Sequence, residues 1–176
     1  AGLGFDDLRA VRPDLVMLAM SGAGQFGPLA GMRTYAPVMS SFVGLEGLIG
    51  YPGEKPVGAL NFALGDPNAA VHGLIALFAA LIRRQTSGKG CYIDLSQTEA
   101  LLATLSPILL QAQVTDVQPS PRGNTHPDFC PHGIYPSADP DGWLTVTVRN
   151  DREWSALAHA LAPESDQPQD LARADD

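Results

Sequence analysis

The sequence predicts an α/β fold in which helices cover a parallel sheet. A short helix at 5–11 precedes a continuous apolar run, LVMLAM, at 15–20. Runs of this kind are typical of strands that are buried on both faces. A long apolar helical segment then leads into a second strand at 91–95. Helices that alternate with buried strands are characteristic of parallel α/β sheets.

The composition limits the classes of protein to consider. Of the 176 residues, 45% are apolar, which is enough to bury the core of one domain or of a piece of a larger one. The formal net charge of −8 argues against a nucleic-acid partner, although much of the acidity lies after Asn150. The longest apolar run ends at Arg83 and Arg84, so we expect no membrane span.

The cysteines and histidines indicate neither disulfides nor a metal centre. Cys91 and Cys130 belong to no metal-ligand motif, so we expect reduced structural thiols and a cytoplasmic location. His126 and His132 flank Asp128 and Cys130, which raises the question of a metal site. Their spacing matches no zinc pattern, and we predict that no metal is bound.

The long helix is predicted to begin beside an aspartate. Pro67 suits the first helical position, which makes Asp66 a natural N-cap. The apolar positions that follow have the spacing of one buried helical face: Val71, Leu74, Ile75, Phe78, Leu81 and Ile82. Most N-cap aspartates act only as caps. The helix dipole also favours an ionised carboxylate there, which could serve as a nucleophile, so both interpretations stay open.

The first strand is followed by a glycine-rich turn with the glycine spacing of a dinucleotide-binding motif. Gly22, Gly24 and Gly27 match GxGxxG. A dinucleotide site needs a helix that starts directly at the turn, whereas Pro28 and Pro37 interrupt the segment that follows. We therefore predict a plain turn.

The second half of the chain contains two further changes of structure. Ser96 starts a capping box, and Pro107 should kink the helix that follows. Residues 115–137 are rich in Pro and Gly and are predicted to contain no regular element. A half-buried strand is predicted at 143–148, and Asn150 is expected to cap a final helix.

The segment around the long helix resembles the family III CoA-transferases. The resemblance is strongest at 61–90, where GDPN stands at 65–68 and TSGKG at 86–90. The family includes formyl-CoA transferase and the carnitine- and bile-acid-related CoA-transferases. The likeness covers about 3–161, and because family members are much longer, the chain is identified as a partial one.

The resemblance implies a domain arrangement. Residues 1–114 would form part of a Rossmann-like large α/β domain, and 115–137 would connect it to a second domain. Residues 138–176 would begin a smaller α+β domain and carry an acidic tail. Family members form interlocked homodimers. They use a CoA thioester as substrate, with no permanently bound cofactor.

The resemblance also implies a site. Asp66 would be the nucleophile that becomes transiently acylated. The substrate- and CoA-binding residues that it implies are Arg33, Tyr35, Gly65, Gly123, Asn124 and Gly133. Arg33 aligns with a basic residue that approaches CoA, although a solvated surface arginine is an equal alternative. The last three residues lie in a segment that closes over the thioester, but the triple-glycine lid of some members is absent.

The implied reaction is transfer of CoA between an acyl-CoA thioester and a carboxylic acid through an aspartyl anhydride. One alternative is an acyl-CoA racemase of the same superfamily, which places a catalytic His near position 35. Tyr35, with an ordinary pKa of about 10, is a poor replacement. His72 is expected to pack or to form a hydrogen bond. A second alternative is a non-catalytic partner subunit.

Overall fold

The computed structural model describes residues 2–59 and 62–162, so the predicted acidic tail lies outside the described residues. The chain divides into two compact units, Ala1–Pro121 and Arg122–Asp176. The helices are α1 Phe5–Val11, α2 Ala36–Phe42, α3 Gly65–Ser87, α4 Gln97–Thr104, α5 Ser106–Thr115 and α6 Asp151–Leu161. The strands are β1 Val16–Ser21, β2 Cys91–Ser96, β3 His132–Pro136 and β4 Trp143–Thr147.

Strands β1 and β2 form a parallel pair that α3 connects. Val16 lies opposite Cys91, and the register continues to Ser21 opposite Ser96. Because both strands run in the same direction, their carboxyl ends meet at one edge. This arrangement confirms the predicted α/β fold with a parallel sheet.

Helix α3 packs on the sheet through its small residues. Ala69, Gly73 and Ala80 are buried, and a Cβ atom added to Gly73 would lie 3.2 Å from Leu18 Cδ2 and 3.8 Å from Leu95 Cδ1. The absence of large side chains on this face lets the helix backbone approach the strands closely. The contact therefore depends on glycine and alanine.

The prediction of which α3 face is buried was wrong. Five apolar residues of the predicted buried stripe are more than half exposed: Val71, Leu74, Ile75, Phe78 and Ile82. The periodicity identified a continuous apolar face correctly, but a second face of small residues packs on the sheet instead. Helix α3 thus presents a row of large apolar side chains to solvent.

Helix α3 is also longer than the apolar run that we used to exclude a membrane span. It extends over 23 residues and is apolar enough to cross a membrane by length and composition alone, so the length argument does not hold. Core helices pass the same test. The contacts of α3 with β1, β2 and α4 are those of a helix that packs within an α/β unit.

The core of the first unit lies between α2 and α4. Met39 and Leu101 are its most deeply buried large side chains, and Leu64 packs against them from the residue before α3. Ser96 caps α4, since its Oγ accepts a hydrogen bond from the Glu99 N–H at 3.2 Å. The packing of Leu64 on the core holds the start of α3 against α2 and α4, and the Ser96 cap fixes where α4 begins.

The predicted kink near Pro107 is a break between two helices. Helix α4 ends at Thr104, and α5 begins at Ser106 with proline in its first turn. A proline in the first turn loses no intrahelical hydrogen bond, so a new helix can start there.

The second unit contains a strand that we did not predict. Strand β3 is antiparallel to β4, with His132 opposite Thr147 and Pro136 opposite Trp143. Residues 115–137 therefore contain a regular element, because pairing with β4 satisfies the strand's backbone groups and its proline stands at the end. Asn150 caps α6 as predicted, with Oδ1 accepting from the Glu153 N–H at 3.0 Å.

Candidate active site

Asp66 lies in the first turn of α3 and is exposed to solvent. The helix begins at Gly65 and its N-cap is Leu64, so the prediction that Asp66 is the N-cap was wrong. The helix starts two residues before Pro67, which a first turn tolerates because proline there loses no hydrogen bond. Asp66 still lies where the helix dipole favours a negative charge.

The carboxylate of Asp66 is held by a side chain from another helix. Its Oδ1 accepts a hydrogen bond of 2.9 Å from Gln97 Nε2, and Gln97 is the first residue of α4. Because α4 follows β2 directly, this contact places Asp66 at the carboxyl edge of the parallel strands. Ligands of open α/β sheets bind at this edge. Sequence reasoning identified Ser96 as the cap of α4 but missed Gln97.

The glycine-rich turn lies at the same edge. The carbonyl of Gly22 accepts two hydrogen bonds from Thr98, one from its N–H at 3.0 Å and one from its hydroxyl. The Gln25 N–H donates to Asp94 Oδ2 at 2.9 Å. No helix starts at the turn within 22–35, a described segment, as predicted for a plain turn. The turn is thereby fastened to the start of α4, next to Gln97.

Gly65 fixes the backbone next to Asp66. It is buried, and a Cβ atom there would lie 3.0 Å from Met39 Cε and 3.7 Å from Met39 Sδ. Met39 in turn is 1% exposed. Gly65 therefore acts through close packing of α3 on α2, and no positive φ requires a glycine there.

Arg33 and Tyr35 flank a residue that packs on the glycine turn. A Cβ atom on Gly22 would overlap the Thr34 side chain, so Thr34 lies directly against that glycine. Both the Arg33 and Tyr35 side chains are exposed, Tyr35 to 83%. The segment that carries them thus borders the turn that is fastened to α4, and the two side chains are open to solvent.

Gly123, Asn124 and Gly133 belong to the second unit. His132 Nδ1 donates to the Asn124 carbonyl at 2.6 Å, and Gly133 is paired with Val146 in the β3–β4 ladder. Gly123 has φ +59°, a left-handed conformation that glycine adopts without strain. The structure therefore joins the loop at 123–124 to the start of β3.

The histidines of the second unit lie among aromatic and backbone partners. His126 stacks on Phe129 with ring centroids 4.2 Å apart, and the centroid of the His132 ring lies 5.3 Å from that of His126. The Asp128 N–H donates to His126 Nδ1 at 3.1 Å. Within the described ranges, 2–59 and 62–162, no three His, Cys, Asp or Glu side chains group to hold a metal ion.

His72 forms a local hydrogen bond. Its Nδ1 donates to the Asn68 carbonyl, one turn earlier in α3, at 2.9 Å. The ring is half-buried. This contact is the hydrogen-bonding role expected for His72.

The fold and the site geometry define an α/β protein with an accessible carboxylate at the carboxyl edge of its parallel strands. The chain belongs to CoA-transferase family III, whose sequence model matches residues 1–176. The match confirms the resemblance seen in the sequence.

Individual relatives share this assignment. The chain is 31% identical to succinyl-CoA–D-citramalate CoA-transferase of Chloroflexus aurantiacus and 30% identical to succinate–glutarate CoA-transferase of Agrobacterium fabrum, each over 91% of this chain and 39% of the relative. A CAIB/BAIF family protein from Brucella suis superposes with a TM-score of 0.82 at 26% identity, over 92% of this chain and 42% of its own. The chain thus spans about two fifths of the length of these relatives.

Proposed function

We propose that the protein containing this chain transfers CoA between an acyl-CoA thioester and a carboxylic acid, with Asp66 as the covalent nucleophile. The observation that carries the proposal is the exposed Asp66 carboxylate, which Gln97 holds by one oxygen at the carboxyl edge of the parallel strands. Membership of CoA-transferase family III supports the reaction class.

The chemistry follows from the carboxylate. Asp66 Oδ2, the oxygen that Gln97 does not contact, attacks the thioester carbonyl carbon, and the C–S bond breaks to release CoA thiolate. The product is a mixed anhydride. The thiolate then attacks Asp66 Cγ, expels the first acid as its carboxylate and forms an aspartyl–CoA thioester. The acceptor carboxylate then attacks Cγ of this thioester and releases CoA thiolate, and the thiolate attacks the acceptor's carbonyl carbon to form the new acyl-CoA and free Asp66. The covalent intermediates divide one difficult exchange into easier steps.

The names of the relatives support a proposal for the class of acid. Their names include succinyl-CoA, succinate and glutarate, so we extend the proposal to dicarboxylic acids as donor and acceptor. Arg33 offers a guanidinium to a substrate carboxylate or to a CoA phosphate. Tyr35 and Gly65 are the other proposed binding residues of the first unit, and Gly123, Asn124 and Gly133 are proposed binding residues of the second unit. The acting form is an interlocked homodimer in the cytoplasm with no resident cofactor.

The covalent step is testable on the full-length protein. Incubation with succinyl-CoA, acid quench and peptide mass spectrometry should find a CoA or succinyl adduct on the peptide that contains Asp66, and initial rates with glutarate should follow ping-pong kinetics. An adduct confined to another residue, or none, contradicts the proposal. A non-catalytic subunit would give neither adduct nor turnover.

A second measurement separates transfer from racemisation. A racemase must remove and return the proton on the carbon next to the thioester, which needs two groups that titrate near neutral pH. We expect incubation with a 2-methylacyl-CoA in deuterated water to leave that carbon unlabelled. Deuterium incorporation at the rate of turnover would replace the transferase assignment with a racemase.

A further inference from the structure

The contact between Gln97 and Asp66 has a consequence for the proposed reaction. The carboxamide donates through Nε2, the only part of the Gln97 side chain that can give a hydrogen bond to a carboxylate. It occupies Oδ1 and leaves Oδ2 to attack the thioester. Once Oδ2 carries the acyl group, Oδ1 is the carbonyl oxygen of the aspartyl anhydride.

The two oxygens of Asp66 then have different fates. When CoA thiolate attacks Cγ, the electron pair of the C–Oδ1 double bond moves onto Oδ1. When that pair returns, the bond from Cγ to Oδ2 breaks, and the first acid leaves with Oδ2. Negative charge therefore develops on the oxygen that Gln97 already contacts at 2.9 Å in the resting site. Preorganised donors at such positions are a large source of catalysis.

We infer that Gln97 is a catalytic residue that stabilises the oxyanion on Asp66 Oδ1 during attack on Cγ, an inference that rests on the proposed function. The same oxygen bears the charge when the acceptor carboxylate attacks the aspartyl–CoA thioester. In the two other steps the oxyanion forms on the substrate carbonyl, away from Gln97. Gln97 thus assists the two steps in which Cγ of Asp66 is attacked and not the two in which the substrate carbonyl is attacked.

The elements around Gln97 hold its backbone in place. It is the first residue of α4, directly after Ser96, which pairs with Ser21 and caps the helix through its hydroxyl. On its other side, Thr98 is bonded to the Gly22 carbonyl through both its N–H and its hydroxyl. With the backbone held in this way, and with Nε2 already bonded to Oδ1, little further ordering is needed when charge develops on that oxygen.

The Gln97→Met variant of the full-length protein tests this role, since methionine has a similar length and no strong donor. With succinyl-CoA, we measure release of CoA in one incubation, where a thiol-alkylating reagent traps it, and formation of the CoA adduct on Asp66 in a second incubation without that reagent. Release of CoA should stay within about threefold of the parent rate, while adduct formation should fall on the order of 10²-fold. The variant should therefore hydrolyse succinyl-CoA more than it transfers CoA.

The Gln97→Glu variant gives an independent measurement. The introduced carboxyl group cannot donate a hydrogen bond when it is ionised, whereas its protonated form can. The ratio of CoA adduct to released CoA should therefore rise in this variant as the pH falls through the range in which the introduced carboxylate takes up a proton. The parent ratio should not follow that change.

Gln113→Leu, at an exposed position of α5, is the matched control and should behave as the parent. Equal slowing of both steps in Gln97→Met, or a parent-like rate of adduct formation, overturns the role of Gln97 while leaving Asp66 as nucleophile. Absence of any adduct in the parent overturns the proposed function and, with it, this inference.

Discussion

Asp66 combines an exposed position with a defined orientation, so its charge can be removed with little structural cost. In Asp66→Asn, the amide oxygen can still accept from Gln97, but the neutral side chain cannot form an anhydride. We expect the full-length variant to lose at least about 10³-fold in turnover. Its stability should stay within about 0.5 kcal/mol of the parent, as for most surface substitutions.

Steady-state transfer assays and urea unfolding measure these two quantities. Asp116→Asn is the matched control, because it makes the same change at the end of α5, where asparagine tolerates the positive φ of 54°. Near-parent turnover in Asp66→Asn would exclude Asp66 as the nucleophile.

Gly65 provides a second test at the scale of single residues. A Cβ atom at this position would lie 3.0 Å from Met39 Cε, inside the packed core. Gly65→Ala should cost about 1 kcal/mol of stability through overpacking and should lower turnover by displacing the start of α3. Gly31→Ala, where a Cβ would meet nothing within 4 Å, is the control.

Shortening Met39 tests whether its side chain causes the stability loss of Gly65→Ala. In a Met39→Ala background, the Gly65→Ala substitution should cost less in urea unfolding than it does in the parent, because the close contact no longer exists. Equal costs in both backgrounds would show that Met39 is not what restricts position 65.

At the scale of elements, helix α6 begins with a group of polar contacts. Hydrogen bonds from the Arg149 side chain and backbone hold the pKa of Glu153 below its usual range, and a hydrogen bond with Asn150 makes a smaller contribution. Because the pKa is lowered in the folded state, the ionised carboxylate stabilises the fold fully at pH values above the ordinary pKa of Glu. This stabilisation is lost as the pH falls through the lowered value.

Glu153→Gln should therefore remove part of the acid dependence of α6. The protection factors of the α6 amides, which correct for the slower intrinsic exchange at low pH, should fall less between neutral and acidic pH in the variant than in the parent. Glu54→Gln, which removes the same charge from an exposed loop, should keep the parent's dependence. An unchanged acid response in Glu153→Gln would show that the Arg149 contact does not stabilise the helix.

Elements with strong local signals could be predicted from the sequence. The apolar run of β1, the Ser96 cap of α4 and the Asn150 cap of α6 lie where local patterning placed them. The buried face of α3 could not be predicted, because periodicity reveals an apolar face but not which face has a neighbour. Strand β3 was missed because its stability comes from pairing with β4, and its own residues, HGIYP, carry a weak strand signal.

The candidate site was predictable only in part, for a similar reason. The position of Asp66 at a helix start follows from local sequence, whereas its contact with Gln97 joins residues 31 apart through packing of α3 on α4. One signal could have found this contact. Gln97 directly follows a parallel strand, and residues at the carboxyl ends of such strands converge.

At the scale of the whole molecule, the exposed face of α3 governs how this chain behaves by itself. Leu74, Ile75 and Phe78 are each at least half exposed and adjacent along one side of the helix. Large exposed apolar patches promote association. We expect the isolated 176-residue chain to self-associate at micromolar concentration, with a weight-average mass that rises with concentration in sedimentation equilibrium.

Charged substitutions should locate the associating surface. A Leu74→Lys/Phe78→Lys double variant places two charges on the α3 face and should shift the chain towards the monomer. A Leu110→Lys/Val117→Lys double variant makes the same change at exposed apolar positions in and after α5 and should associate like the parent. If both variants associate as the parent does, the α3 face is not the surface through which the chains meet; if both become monomeric, net charge rather than this face controls association.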